Sequence, residues 1–223
     1  MIFVVDIGNT KIKMGIFSDN QLIESNYFDL YDEFENHVKN KIKKEDSICI
    51  SSVVPKLTKK LKKNKLKINE MIFVDHINSQ LKLNVDFPES IGADRLCNIS
   101  AALNLYNSPI IIIDFGTANT YDVVDENGSF IGGAISPGVE TSGKYLIDKA
   151  ALLDKTQFEF PRKVIGTTTK TNIQSGIMYG TVSQIEGMIE KIKVETKTNN
   201  FSILLTGGFG KIITNKLSVK HIY

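Results

Sequence analysis

Residues 4–17 read VVDIGNTKIKMGIF, and residues 112–125 read IIDFGTANTYDVVD. Each stretch opens with an apolar run, turns at Asp-x-Gly, passes a small polar pair and returns to apolar residues. The two aspartates, Asp6 and Asp114, stand 114 − 6 = 108 positions apart. At that offset Phe3-Val4-Val5-Asp6 falls on Ile111-Ile112-Ile113-Asp114, and Gly8-Asn9-Thr10 falls on Gly116-Thr117-Ala118. Ile16 then meets Val124, Asp19-Asn20 meets Asn127-Gly128, and Leu22-Ile23 meets Phe130-Ile131. Each copy reads as strand, polar turn, strand, turn, strand, with Asn127-Gly128 a hairpin signal. Helical periodicity follows in LYDEFENHVKNKIKK and in GVETSGKYLIDKAALL. A short β-rich run then closes each half, SICISSVVP at 47–55 and FSILLTGGFG at 201–210. The repeated order of elements predicts an α/β protein built from two copies of one domain, 1–107 and 108–223, with a boundary near Tyr106–Pro109.

The chain has 223 residues, enough for one large domain or two small ones. Hydrophobic residues at 42% and charged residues at 23% are those of a globular protein. MIFVVD holds four apolar residues between Met1 and a carboxylate, too few for a signal peptide, and no run approaches a membrane span. Cys49 and Cys97 stand singly in apolar segments without metal-ligand spacing, which points to buried free thiols and a reducing, cytoplasmic setting. Residues 38–67 hold 11 lysines against Glu45 and Asp46. Those lysines surround apolar positions such as Leu57, Leu61 and Leu66 and lack interleaved aromatics, so they read as a solvated helix face. No nucleic acid is expected as a partner.

An aspartate closing a buried strand before a glycine puts a carboxylate on a turn whose backbone can approach a ligand closely. Asn9-Thr10 and Thr117-Ala118 add small side chains and N–H groups suited to phosphate oxygens. Two such turns in register predict a polyphosphate gripped by both halves, with carboxylates left for a cation. Rival phosphate motifs fail. A Walker loop ending at Gly210-Lys211 would need glycine where Leu205 stands, and a dinucleotide fingerprint from Gly208 would need glycine at Ile213.

In GADRLCNISAALNLY the stripe Leu96, Ile99, Leu103, Tyr106 predicts a helix, with Gly92-Ala93-Asp94-Arg95 at its N-terminus. Asp94 then has two readings. It can cap the helix at its positive end, or serve as a general base beside Arg95 as an anion clamp.

The segments DIGNT, GADR, DFGTANTYD, GGAISPG and IQSGIMYG, in that order and joined by SSVVP at 51–55, resemble the type III pantothenate kinase family over nearly the whole chain. That family belongs to the sugar kinase, actin and heat-shock chaperone superfamily. The resemblance therefore implies duplicated ribonuclease-H-like domains with a nucleotide cleft, and ATP-dependent phosphorylation of pantothenate. Carried over by position, it implies that Asp6, Gly8, Asn9, Thr10 and Lys13 bind ATP phosphates, as does Thr117. It implies that Asp114 holds a potassium or ammonium ion and that Asp6 meets magnesium through water. Gly92, Ala93, Asp94 and Arg95 would form the pantothenate turn, with Asp94 as proton acceptor. Thr169 would reach pantothenate across a homodimer interface, in which the helical run Ile173, Ile177, Gly180, Gln184, Gly187 either takes part or packs on its own sheet.

Two departures stand out. Val85-Asp86-Phe87-Pro88 replaces the family's Tyr-x-Asn-Pro, and a further C-terminal segment is expected beyond SVKHIY. Two other functions fit parts of the pattern. One is an accessory regulator that binds nucleotide without a base, and the other is a kinase of this superfamily with another small-molecule substrate.

Overall fold

The protein is described by a computed structural model covering residues 1–63, 68–149 and 156–223. Two compact units are resolved, Met1–Ser100 and Ala101–Tyr223. The division falls inside a helix, whereas the sequence places the boundary at the turn that follows it.

In the first unit β1 (Ile2–Ile7) alternates as its sequence dictates, with Phe3, Val5 and Ile7 wholly buried. It pairs antiparallel with β2 (Ile12–Ser18), and β2 pairs with β3 (Gln21–Phe28). The two-residue hairpin between them has Asp19 at φ 50° and Asn20 at φ 62°, the left-handed pair that a tight right-twisting hairpin demands. Helix α1 (Tyr31–Lys41) buries Phe34 and Val38 and carries the chain over to β4 (Ser47–Ser52), which lies parallel to β1 with Ile2 opposite Ser47. Helix α2 (Pro55–Lys63), opened by proline at its first position, leads to β5 (Glu70–Phe73). The sheet order is β3-β2-β1-β4-β5. A two-residue strand, β6 (Lys82–Leu83), and a 3₁₀ turn at Pro88–Ser90 precede α3 (Ala93–Leu105).

The second unit repeats the plan. Adding 108 to the bounds of β1 and α1 gives the bounds of β7 (Ile110–Phe115) and α4 (Val139–Lys149). Strand β7 is central, and Ile110, Ile111, Ile112 and Ile113 are all buried, one pair on each face. It is flanked by β8 (Ala118–Val124), itself paired with β9 (Ser129–Pro137), and by the parallel β10 (Ser202–Gly207). The spacing from β4 to β10 is 202 − 47 = 155, because α5 (Thr169–Thr196) lies between α4 and β10. A capping box of Thr168 and Thr171 starts this 28-residue helix, whose inner face is Ile173, Met178, Val182, Ile185 and Ile189. A short α6 (Gly210–Thr214) follows β10.

Of the lysine-rich stretch, Lys65 and Lys67 lie outside the described residues. Lys60 pairs with Asp32 at 3.2 Å and Glu35 at 3.4 Å and stands over the Tyr31 ring, and Lys39 pairs with Glu35 at 2.9 Å. These are contacts of a solvated helical surface. Among the described residues no helix is long and apolar enough to cross a membrane.

Candidate functional site

The β1–β2 turn begins at Asp6, near the end of a strand otherwise committed to the core. Its carboxylate is half-exposed. Oδ1 accepts from the Ser51 hydroxyl at 3.3 Å, and Oδ2 lies 4.0 Å from Lys13 Nζ. Sheet register produces both contacts, since Asp6 faces Lys13 on β2 and Ser51 on β4. The turn closes by a bond from the Gly8 N–H to the Lys11 carbonyl at 3.1 Å, and a Cβ on Gly8 would crowd that same oxygen at 3.3 Å. Asn9 and Thr10 project into solvent at its tip. A cavity of about 260 Å³ opens beside Asp6 and Lys13, lined also by Val4, Gly15, Phe17 and Tyr27.

Helix α3 starts at Ala93, and Gly92 caps it by accepting from the Leu96 N–H at 3.1 Å. Asp94 Oδ1 accepts from the Arg95 N–H at 2.8 Å. A side chain at Gly92 would stand 2.5 Å from that oxygen, so glycine leaves the carboxylate its place. Burial pushes the Asp6 carboxyl above its ordinary value, Lys13 and Ser51 oppose the rise, and the negative charge of Asp94 adds to it. Asp6, Lys13 and Ser51 are thus in contact within the first unit, and the charge of Asp94 acts on Asp6. Cys97 lies one turn beyond Asp94 on α3. Burial drives its thiol up to about 11. Both cysteines are free and half-buried.

In the second unit Asp114 is the penultimate residue of β7, opposite Thr120 on β8 and Thr206 on β10. Two glycines that the sequence reading does not assign shape this turn. Gly207, at φ 94°, passes so close that a Cβ would stand 2.5 Å from Asp114 Oδ1 and 2.6 Å from the Phe115 carbonyl. Gly138 donates its N–H to the Thr117 carbonyl at 3.0 Å, and a Cβ there would meet the Gly116 carbonyl at 2.3 Å. The Thr141 hydroxyl also donates to the Thr117 carbonyl, at 2.7 Å. The first turn of α4 thereby fixes the turn's backbone, while Gly116 and Thr117 stay exposed.

Among the described residues no group of three or more His, Cys, Asp or Glu gathers as a metal cage. Each turn offers one carboxylate beside backbone oxygens, a hard-oxygen set. Such a set suits magnesium, which keeps its waters and leans on substrate phosphates, or a weakly held monovalent cation.

Thr169 is the first residue of α5 and is exposed, one position after the Thr168 cap. Ile173 is 8% exposed and Ile177 packs against the core of its own unit, whereas Gly180, Gln184 and Gly187 face outward.

The sequence profile of the type III pantothenate kinase family matches residues 2–191. A type III pantothenate kinase of Sulfurihydrogenibium sp. is 40% identical over 242 residues, spanning 100% of this chain and 94% of that protein. Among solved structures, one described as a Baf family transcriptional activator from Campylobacter jejuni superposes with a TM-score of 0.66 at 20% identity, over 99% of this chain and 90% of that one. Another, described as a 2-dehydro-3-deoxygalactonokinase from Sinorhizobium meliloti, gives 0.64 at 10% identity, over 99% and 93%. At such identities these structures speak for the fold, the duplicated ribonuclease-H-like architecture.

Proposed function

The chain belongs to the type III pantothenate kinase family, and from that premise we propose how its residues divide the work of the reaction. The family reaction transfers a phosphoryl group from ATP to pantothenate, giving 4′-phosphopantothenate and opening coenzyme A synthesis. Such a transfer asks a protein mainly for alignment and for neutralisation of charge.

Asp94 accepts the proton of the attacking hydroxyl. The observation that carries this role is its position: at the start of α3, one oxygen held by the Arg95 N–H, with its charge acting on Asp6. The bond from the Arg95 N–H fixes the carboxylate's direction and leaves it lone pairs for a proton. Gly92, Ala93 and Arg95 complete the pantothenate turn, with the Arg95 guanidinium as the clamp for the substrate carboxylate.

Asp6, Gly8, Asn9, Thr10 and Lys13 serve the ATP phosphates, and Thr117 serves the nucleotide from the second unit. Magnesium, when bound with the nucleotide, offsets phosphate charge, and Asp6 is the residue that would hold its waters. Asp114 would hold a potassium or ammonium ion. The chain works as a homodimer in which Thr169 completes the neighbour's pantothenate site. Free thiols at Cys49 and Cys97 suit a reducing cytoplasm. An accessory regulator of this fold would have no use for a base at Asp94.

The test is a coupled assay of ADP release from Mg·ATP, with and without pantothenate and with potassium present or replaced by sodium. Pantothenate-dependent ADP release supports the reading. ATP turnover that ignores pantothenate counts against it.

A further inference from the structure

We propose that Ser51 is a positioning residue for this reaction, holding the Asp6 carboxylate in place on its turn from the neighbouring strand β4. The proposal rests on the assignment of Asp6 to the nucleotide phosphates.

Ser51 is only 7% exposed, a polar side chain that needs its partners. In the parallel pairing of β1 and β4 it stands directly opposite Asp6, so both side chains share one face of the sheet. Its hydroxyl donates to Asp6 Oδ1 at 3.3 Å. A hydroxyl owns one proton and two lone pairs. With its proton given to Asp6 Oδ1, Ser51 fixes one carboxylate oxygen from β4 and leaves Oδ2 on the side of Lys13.

The neighbouring serine has a different task. Ser52 accepts from the Thr58 hydroxyl at 2.8 Å and from the Val54 N–H at 3.3 Å, contacts that start α2 and do not involve Asp6. The pair thus separates a positioning serine from a structural one. The segment SSVVP carries both.

Four variants test this: Ser51→Ala, Ser52→Ala, Asp6→Asn and the double Ser51→Ala/Asp6→Asn. Each is assayed for kcat and for separate KM values of Mg·ATP and pantothenate, with the thermal midpoint measured alongside. Ser51→Ala is expected to lower kcat/KM for Mg·ATP roughly tenfold, the low end for a bond to a charged acceptor. Its pantothenate KM should stay within about twofold, since the lost bond touches the phosphate turn alone. The double variant should be no worse than Asp6→Asn, because the two groups act as one unit. Ser52→Ala should lower the midpoint while keeping both KM values. Additive losses in the double variant overturn the proposal, as does a Ser51→Ala enzyme with a lower midpoint and unchanged Mg·ATP kinetics. If Asp6→Asn itself leaves Mg·ATP kinetics unchanged, the assignment of Asp6 fails first and takes this proposal with it.

Discussion

Gly207 and Asp114 share one space: a Cβ on the glycine would stand 2.5 Å from Asp114 Oδ1, and the backbone there has φ 94°. Both facts exclude a side chain, one by contact and one by backbone strain. Gly207→Ala is expected to destabilise the second unit by about 1–3 kcal/mol and to displace the Asp114 turn. Chemical denaturation measures the first effect and the ATP KM the second. An alanine variant with wild-type stability and kinetics would mean that β10 does not hold the turn in place.

Asp94 allows two roles to be separated by one conservative change. Asn at 94 keeps an oxygen that can accept from the Arg95 N–H, so the helix start survives. It has no basic oxygen for a proton. Turnover should fall about 10²–10⁴-fold, the usual worth of a positioned base, with ATP affinity and thermal midpoint kept. Near-normal turnover with the midpoint unchanged would leave Asp94 the role of a cap, which Asn fills as well as Asp.

Asp114, the penultimate residue of β7, is the carboxylate proposed to hold the potassium or ammonium ion. Activity should therefore be higher in potassium or ammonium than in sodium, and Asp114→Ala should erase the difference. Titrating each chloride salt at constant ionic strength provides the measurement. Equal rates in all three salts would remove the cation from Asp114.

The repeat was legible because its signals are local. Alternating Phe3, Val5, Ile7, the paired hairpin turns and the stripes of α1 and α4 each lie within a few residues of sequence, so their order could be matched at one offset. Contacts that depend on strand pairing across distance were not legible. Nothing near Ser51 states that β4 will lie beside β1 in the register that faces it to Asp6. The same holds for Gly207, whose need for glycine arises from β10 lying against β7. Nor could the periodicity of α5 decide its facing. Ile173 and Ile177 turned inward on their own unit, while Gly180 and Gly187 turned out.

Glu186 gives a pH dependence with a definite sign. Its Oε1 accepts from the Ser218 hydroxyl at 2.6 Å and from the Ser218 N–H at 2.8 Å, tying the segment after α6 to α5. These bonds, the hydroxyl's first, hold the carboxyl below its ordinary value of 4.5. A depressed folded-state value means that the tie is fully present above 4.5 and is lost as pH falls through the folded value. Amide exchange at Ser218 should lose protection on acidification from neutral pH to below 4.5, relative to amides in β7. In Glu186→Ala the protection should already be low at pH 7 and change little with acid. Equal protection in the two proteins at pH 7 would show that the tie holds nothing.

The assembly offers the last test. Thr169 is exposed at the start of α5. Further along, Gly176, Gly180 and Gly187 leave open space within 4 Å of where a side chain would begin. A second copy seated on this face would bring helices close, as small residues permit, and a two-fold axis would give each subunit's Thr169 to the other's pantothenate turn. Light scattering should then report about twice the 24.9 kDa chain mass at micromolar concentration, within reach of an interface of standard size. Complementation is the sharper measurement. Asp94→Asn subunits lack the base and Thr169→Arg subunits lack the lent hydroxyl, so each homodimer should be inactive. In a mixed dimer one site carries both defects and the other carries none. Random exchange of equal amounts makes half the dimers mixed, so about a quarter of wild-type activity should return. A monomer with normal pantothenate kinetics, or a mixture that stays inactive although mixed dimers form, would place Thr169 outside its neighbour's site.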